Sequence, residues 1–149
     1  HAGMALARAV ARLPFENTLV DSRVEFADCN LDGVRTECSA LPERHVRSAR
    51  PGAAYVVMTH SHDHDFLITA EALSRLDTAY VGMIGSATKR NGFRRWLAEQ
   101  GRDPRMSEFL SCPLGGSQLR DKRPEVIAAL TSAEITTALL RPVDGAAPS

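Results

Sequence analysis

The chain has 149 residues, and its 18 Lys and Arg residues balance its 18 Asp and Glu residues. This length is typical of one domain with a substantial core. The charge balance argues against a nucleic-acid groove or an anionic membrane patch, and no apolar run approaches the roughly 20 residues that span a bilayer. The cysteines, Cys29, Cys38 and Cys112, lack C-x-x-C spacing, which favours a reducing compartment. We expect a cytoplasmic globular protein.

Short apolar strands alternate with helical segments along the chain. The predicted elements are a helix over 4–13, a strand over 17–21, a short helix at 25–27, a strand near 34–36, a short helix from 42, a strand over 53–58, a helix over 65–76, a strand over 79–84, a helix over 87–100, a short strand over 110–113 and a helix over 124–140. This order predicts an α/β fold, a Rossmann-like doubly wound parallel sheet with helices on both faces. We expect one domain over 1–140 and a flexible tail over 141–149.

The first helix follows His1-Ala2-Gly3 with no strand before it. If Gly-x-Gly preceded these residues, Gly3 would be the last glycine of a G-x-G-x-x-G nucleotide loop and would lie at a helix start that binds phosphate. We therefore expect that the N-terminal strand and the first glycines of that loop are missing from this chain and that upstream residues exist. Because that strand is central in a Rossmann order, its absence should split the sheet.

Two polar loops follow the most strongly predicted strands, 53–58 and 79–84. Parallel α/β sheets bind ligands beyond the carboxyl ends of their strands, and a helix start attracts anions. The candidate binding residues in these loops are Thr59, His60, His62, Gly85, Ser86, Lys89 and Arg90. The alternative is that Ser86 only caps its helix and that Lys89 and Arg90 form a solvated basic face.

A third candidate group, Asp21, Ser22 and Arg23, ends the strand at 17–21. An acidic residue about 20 positions after the glycine loop hydrogen-bonds a ribose hydroxyl in dinucleotide-binding folds, and its charge favours NAD over NADP. Asp21 has that position. The alternative is a local turn with Ser22, while Arg23 contacts either a phosphate or solvent.

The loop after the strand at 53–58 contains three histidines and two aspartates within six residues, a composition that could indicate a zinc site. They are His60, His62, Asp63, His64 and Asp65. The metallo-β-lactamase signature Thr-His-x-His-x-Asp-His is inverted at its end here, and later histidines that would complete a binuclear site are absent from the sequence. We predict no metal, and we expect Asp63 or Asp65 to cap the following helix.

Four motifs together resemble one family. They are Thr59-His60-Ser61-His62-x-x-Asp65, Tyr80-Val81-Gly82-Met83-Ile84-Gly85-Ser86-x-x-Lys89-Arg90, Cys112-Pro113-Leu114-Gly115 and Pro124-Glu125-Val126-Ile127-Ala128. Their order is similar to that of the C-terminal Rossmann domain of the XdhC/CoxI proteins, accessory factors of xanthine dehydrogenase and related molybdenum hydroxylases. The resemblance extends over 3–140, and 80–90 is its most specific part. The separate N-terminal domain of the family is missing here.

The resemblance implies a chaperone that binds the molybdenum cofactor (molybdopterin), supports its sulfuration with a cysteine desulfurase and delivers it to xanthine dehydrogenase or a related enzyme. It also implies a homo-oligomer and a cofactor site at the residues named above, with Gly3 and Ser86 at helix starts. Catalysis has little support, because a nucleophile elbow and a Walker loop are absent from the sequence. The alternatives are an NAD(P)-binding oxidoreductase or nucleotide-sensing domain and, third, a zinc hydrolase.

Overall fold

The computed structural model describes residues 2–23 and 31–141. The predicted helix at 25–27 and residues 142–149 of the predicted tail lie outside this part. In chain order, the elements are α1 Ala2–Val10, β1 Thr18–Asp21, β2 Arg35–Cys38, α2 Glu43–Ser48, β3 Ala54–Val57, α3 His62–Ser74, β4 Tyr80–Met83, α4 Ala87–Glu99, a 3-10 helix Pro104–Phe109 and α5 Pro124–Leu140. Over the described residues, each helix is too short or too polar to cross a membrane.

The four strands form two parallel pairs. β1 pairs with β2 from Thr18 opposite Arg35, and β3 pairs with β4 from Ala54 opposite Tyr80. Within 2–23 and 31–141, no strand ladder joins the two pairs. The parallel α/β arrangement is confirmed, and the sheet is split between β1 and β3.

The predicted strand over 110–113 is reduced to one bridge beside β4. Ser111 donates its N–H to the Val81 carbonyl at 2.9 Å and accepts from the Met83 N–H at 3.1 Å. The chain before this bridge forms the 3-10 helix, whose first turn is capped by the Asp103 carboxylate. This helix was not predicted from the sequence, because the segment around Pro104 shows no apolar periodicity.

Helices cover both faces of the sheet, as predicted. Alternate residues of a strand point to opposite faces, and β3 shows this directly. Val57 belongs to the same core cluster as Phe93 of α4, whereas Val56 packs against the other cluster, which contains Leu6 of α1. Burial on both faces explains why the β3 and β4 segments are continuously apolar.

Two helix boundaries differ from the predicted ones. α1 covers 2–10 and not 4–13, and α3 begins at His62, three residues before the predicted start. The polar residues that looked like loop form the first turn of α3. Ser61 makes this possible, because its hydroxyl accepts the His64 N–H at 3.4 Å.

Candidate binding site at the carboxyl ends of the strands

The carboxyl ends of β1 and β3 lie at one edge, together with the start of α1. A side chain built on Gly3 would lie 3.5 Å from the Met58 sulfur, directly after β3. The His60 imidazole lies close enough to Asp21 to act electrostatically on its carboxylate. Three of the predicted site residues, Gly3, Asp21 and His60, are therefore brought to a common edge, which we call the carboxyl rim.

Asp21 at the end of β1 is held in a turn by Arg23. Its Oδ1 accepts the Arg23 backbone N–H at 2.8 Å and Nε at 3.1 Å, and its Oδ2 accepts a guanidinium nitrogen at 3.0 Å. Burial raises the pKa of Asp21, but the Arg23 hydrogen bonds and positive charge outweigh burial and lower it. The carboxylate is thus ionised and already part of the local turn that was the alternative interpretation, with Ser22 exposed between the two residues.

The loop after β3 is ordered by its own hydroxyl groups. The Thr59 hydroxyl donates to the Ser61 carbonyl at 3.0 Å and accepts the Ser61 N–H at 3.1 Å. The N-cap of α3 is Ser61, so the prediction that Asp63 or Asp65 caps this helix is wrong. Asp65 lies one turn inside α3, where its Oδ1 accepts the Thr59 N–H at 2.7 Å.

Lys89 reaches into this loop from α4. Its Nζ lies 2.6 Å from Asp65 Oδ2 and 2.8 Å from the Ile84 carbonyl, with only 9% of the side chain exposed. Arg90 donates to the Ser107 carbonyl at 3.1 Å. Lys89 is therefore not part of a solvated basic face. A phosphate contact for either cation stays a prediction, and Lys89 would have to leave Asp65 to make it.

The start of α4 is the open part of the rim. Ser86 is exposed and is the N-cap residue, yet its side chain makes no capping hydrogen bond. Gly85 has φ 144°, and an added side chain there would collide with the Lys89 side chain. Within the described residues, the first N–H groups of α4 consequently lack the side-chain cap that Ser61 gives to α3, and the partial positive charge of this helix end faces outward.

Cys112 lies beneath this helix start. Its thiol is 3.6 Å from the Ser86 carbonyl and is buried. Burial raises the pKa of Cys112, although the charges of Lys89 and Arg90 oppose the shift. The thiol is therefore protonated at neutral pH, which fits a packing role for this residue.

The histidines of the loop after β3 are dispersed. His60 and His62 are exposed, and the His62 ring lies 6.3 Å from the Phe66 ring. Across 2–23 and 31–141, no three His, Cys, Asp or Glu side chains are grouped so that they would hold a metal ion. What this rim offers chemically is a set of hydrogen-bonding groups and a helix start that suits an anion.

The XdhC Rossmann domain family matches residues 1–135 of the chain. The chain belongs to this family. The match covers all the strands and the rim residues, so the resemblance inferred from the motifs is confirmed. No curated protein sequence matches this XdhC domain.

The fold of this XdhC domain is similar to that of a solved structure. A crystal structure of a xanthine dehydrogenase from Bacillus halodurans aligns with a TM-score of 0.73 and 20% sequence identity. The alignment covers 99% of this chain and 42% of that chain. The XdhC domain therefore has the length of less than half of that protein, and the similarity concerns the fold.

Proposed function

We propose that this XdhC domain binds the molybdenum cofactor, molybdopterin, at the carboxyl rim and serves as an accessory protein for xanthine dehydrogenase or a related molybdenum hydroxylase. The observation that supports the binding site is the uncapped start of α4 at Gly85 and Ser86. An anion placed there meets free N–H groups and the positive end of the helix dipole. Family membership supports the accessory role.

The residues present fit a phosphorylated pterin. The start of α4 takes the phosphate, and the start of α1 at Gly3 provides a second set of backbone N–H groups on the same rim. The ionised Asp21 is an acceptor for pterin N–H groups, as carboxylates are for amino and ring N–H donors. Thr59 and His60, in the loop after β3, lie between the start of α4 and Asp21. The cofactor supplies molybdenum chemistry to the target enzyme, while the rim binds and orients it.

In this proposal the domain acts as a homo-oligomer in the cytoplasm. A cysteine desulfurase provides the sulfur for the cofactor, and the domain passes the sulfurated cofactor to the target enzyme. The buried, protonated Cys112 is a poor nucleophile. The proposal therefore does not route sulfur through Cys112.

Measured binding of molybdopterin tests the site. Ser86→Asp places a negative charge at the uncapped helix start and is expected to weaken binding at least about tenfold, or about 1.4 kcal/mol. Asn91→Asp is the matched control, because Asn91 is an exposed residue of the same helix beyond its first turn. Equal binding by both variants and the parent chain would remove the phosphate site from α4.

Asp21 favours a second candidate, NAD. It lies at the end of β1, where dinucleotide-binding folds place the carboxylate that holds the ribose, and its negative charge disfavours a 2′-phosphate. A titration with NADH followed by fluorescence separates the two candidates. Tight NADH binding that is lost in Asp21→Asn, together with no pterin binding, would replace the molybdopterin proposal.

A further inference from the structure

The turn after α3 holds Leu76 in an unusual backbone conformation. Leu76 follows the C-cap residue Arg75 and has φ 62°. Among the described residues, it is the one residue other than glycine with a positive φ. Glycine usually occupies this position after a helix, because a Cβ atom makes the left-handed conformation unfavourable. A leucine here is therefore a cost to the fold.

The corresponding residue after α4 shows what the fold itself prefers. Gly101 follows the C-cap residue Gln100, has φ 73° and borders open space, since an added side chain would meet no atom within 4 Å. Packing does not explain Leu76 either, because 90% of this residue is exposed. A residue that is unfavourable in its backbone and unused in its side chain points to a contact outside the chain.

The turn also fixes the position of Leu76. Arg75 and Asp77, on either side of it, are joined by two hydrogen bonds of 2.9 Å, and Arg75 donates to the Val46 carbonyl at 2.6 Å. The Asp77 carbonyl accepts the Gly52 N–H at 2.7 Å. Leu76 is thus an anchored apolar projection at the amino ends of the strands, opposite the carboxyl rim, and we call it the knob. A side chain held in place before binding loses little freedom when it binds.

An open groove of about 450 Å³ lies at the same end of the sheet as the knob. One wall is formed by Ala79 and Tyr80 at the start of β4 together with Ser111, and Ala79 is only three residues after Leu76. The other wall is α5, which contributes Ala133, Glu134, Thr137, Ala138 and Arg141. Because several of these side chains are small, the groove has room for a leucine side chain. We call it the β4–α5 groove.

We propose that two copies of this chain associate about a twofold axis at this edge, with the knob of each copy in the β4–α5 groove of the other. A twofold axis uses both parts at once, because every contact between the copies is made twice. Charge is complementary as well. The Asp77 carboxylate, with 36% of its side chain exposed, lies beside the knob, and the Arg141 cation lines the groove.

This interface leaves the carboxyl rim open, since it lies at the opposite ends of the strands. The inference rests on the homo-oligomer of the proposed function, but it does not depend on cofactor binding.

Sedimentation velocity over a wide range of protein concentrations tests the knob. The parent chain is expected to form a dimer, and Leu76→Gly is expected to raise its dissociation constant at least about tenfold. The Tm of the dilute protein should not fall, because glycine fits the left-handed turn. Leu76→Asn repeats the test with a second residue that tolerates this conformation. Leu119→Gly is the control, because Leu119 is also exposed but does not line the groove.

Filling the groove tests the other half of the contact. Ala133→Trp places an indole in the groove and should weaken the dimer as strongly as Leu76→Gly. Ala129→Trp is the matched control, because Ala129 is an exposed residue one turn earlier in α5 that does not line the groove.

A mixture of the two variants separates knob-in-groove contact from general damage to the surface. The Leu76→Gly chain keeps its groove and the Ala133→Trp chain keeps its knob, so a mixed dimer retains one of the two contacts. The mixture should therefore associate more strongly than either variant alone and more weakly than the parent. A mixture that associates no better than the separate variants would contradict the proposed contact.

Three further results would overturn the proposal, each with a different meaning. A parent chain that stays monomeric at every concentration would remove the interface and the homo-oligomer, while the cofactor site would stand. A parent dimer that persists in both Leu76→Gly and Ala133→Trp would place the dimer contact on another surface. Assemblies that grow beyond a dimer with concentration would mean head-to-tail contact without a twofold axis.

Discussion

Lys89 Nζ lies 2.6 Å from Asp65 Oδ2 and joins α4 to α3 inside the protein. Only 1% of the Asp65 side chain and 9% of the Lys89 side chain are exposed. The same pair also binds backbone groups of both rim loops, the Thr59 N–H through Asp65 and the Ile84 carbonyl through Lys89. One buried ion pair therefore sets the distance between the loop that follows β3 and the loop that follows β4.

Removing one member of this pair should destabilise the domain strongly. Lys89→Met leaves the Asp65 carboxylate buried without its counter-charge, which costs about 3–5 kcal/mol in free energy of unfolding. Urea unfolding measures the loss. The double variant Asp65→Asn with Lys89→Met removes both charges and should recover more than half of that loss. A double variant as unstable as Lys89→Met alone would show that packing by the lysine stem, and not the ion pair, stabilises the loops.

Gly85 is expected to tolerate no side chain. Its φ of 144° is a conformation that L-residues rarely adopt, and a new Cβ would lie about 3.0 Å from the Lys89 Cβ while colliding with the rest of that side chain. Gly85→Ala should therefore reduce both stability and molybdopterin binding, since the Lys89 stem and the α4 start must move.

Gly101→Ala is the control for Gly85→Ala. Gly101 also has a positive φ, 73°, but a side chain there would meet nothing within 4 Å. Gly101→Ala should lower the free energy of unfolding by only about 1 kcal/mol, the cost of a left-handed backbone conformation for a residue with a side chain. Urea unfolding measures this loss, and molybdopterin binding should not change. If Gly85→Ala lowers the free energy of unfolding no more than Gly101→Ala does, then the contact with Lys89 relaxes freely and does not fix the loop.

The sequence was sufficient to predict the parallel strands and their polar loops. Segments 53–58 and 79–84 are apolar on both faces, a pattern that only a sheet covered by helices on both sides explains well. The connections then place Asp21, Thr59 and Ser86 at the carboxyl ends of strands, because Asp21 is the last residue of its strand and the other two lie in the loops after β3 and β4.

The roles of individual polar side chains were harder to predict. Asp65 looked like a helix cap and Lys89 like a cation for a bound anion, with a solvated face as the alternative. Local sequence shows charge and spacing but not the partner 24 positions away. The cap is Ser61, and serine is as common as aspartate at this position, so residue type alone did not separate Ser61 from Asp63 and Asp65. Leu110 to Pro113 looked like a strand, yet tertiary packing pairs only Ser111 with β4.

Asp121 should titrate at unusually low pH. The Arg123 side-chain hydrogen bonds lower the pKa of Asp121 to about 2, with a further bond from the Arg123 backbone N–H. Since the folded pKa is below the unfolded value, this stabilisation is present above about pH 4 and is lost as pH falls towards 2. Arg123→Gln removes the guanidinium but keeps the backbone donor. An NMR titration should then find the pKa of Asp121 between about 2 and its ordinary value.

Arg105→Gln is the matched control for this titration. Arg105 lowers the pKa of Asp103 through the same side-chain and backbone arrangement two residues away. This variant should raise the pKa of Asp103 and leave the pKa of Asp121 unchanged. A change in the pKa of Asp121 in the Arg105 variant would mean that the general charge of the surface, and not the local hydrogen bonds, sets these pKa values.

Tyr80 and Glu134 join β4 to α5 through a hydrogen bond of 2.8 Å from the phenol to the carboxylate, which also accepts the Gly115 N–H at 3.1 Å. Tyr80→Phe removes the phenol donor, while Glu134 keeps the Gly115 N–H. At pH 8 we expect a loss of about 1.5–3 kcal/mol in the free energy of unfolding, the usual range for a hydrogen bond to a charged group.

The pH dependence makes this prediction specific. Burial raises the pKa of Tyr80, and the hydrogen bond and charge of Glu134 raise it further, well above the ordinary value. Above about pH 10 the unfolded chain loses this proton while the folded chain keeps it, so the stability of the parent chain falls as pH rises. Tyr80→Phe has no such proton, and its deficit relative to the parent should therefore shrink between pH 8 and pH 10.5 in urea unfolding. Burial also raises the pKa of Tyr55. The stability of Tyr55→Phe is therefore measured over the same pH range and compared with that of Tyr80→Phe. A deficit of Tyr80→Phe that stays constant across this range would mean that Tyr80 ionises equally in both states, contrary to its position against Glu134.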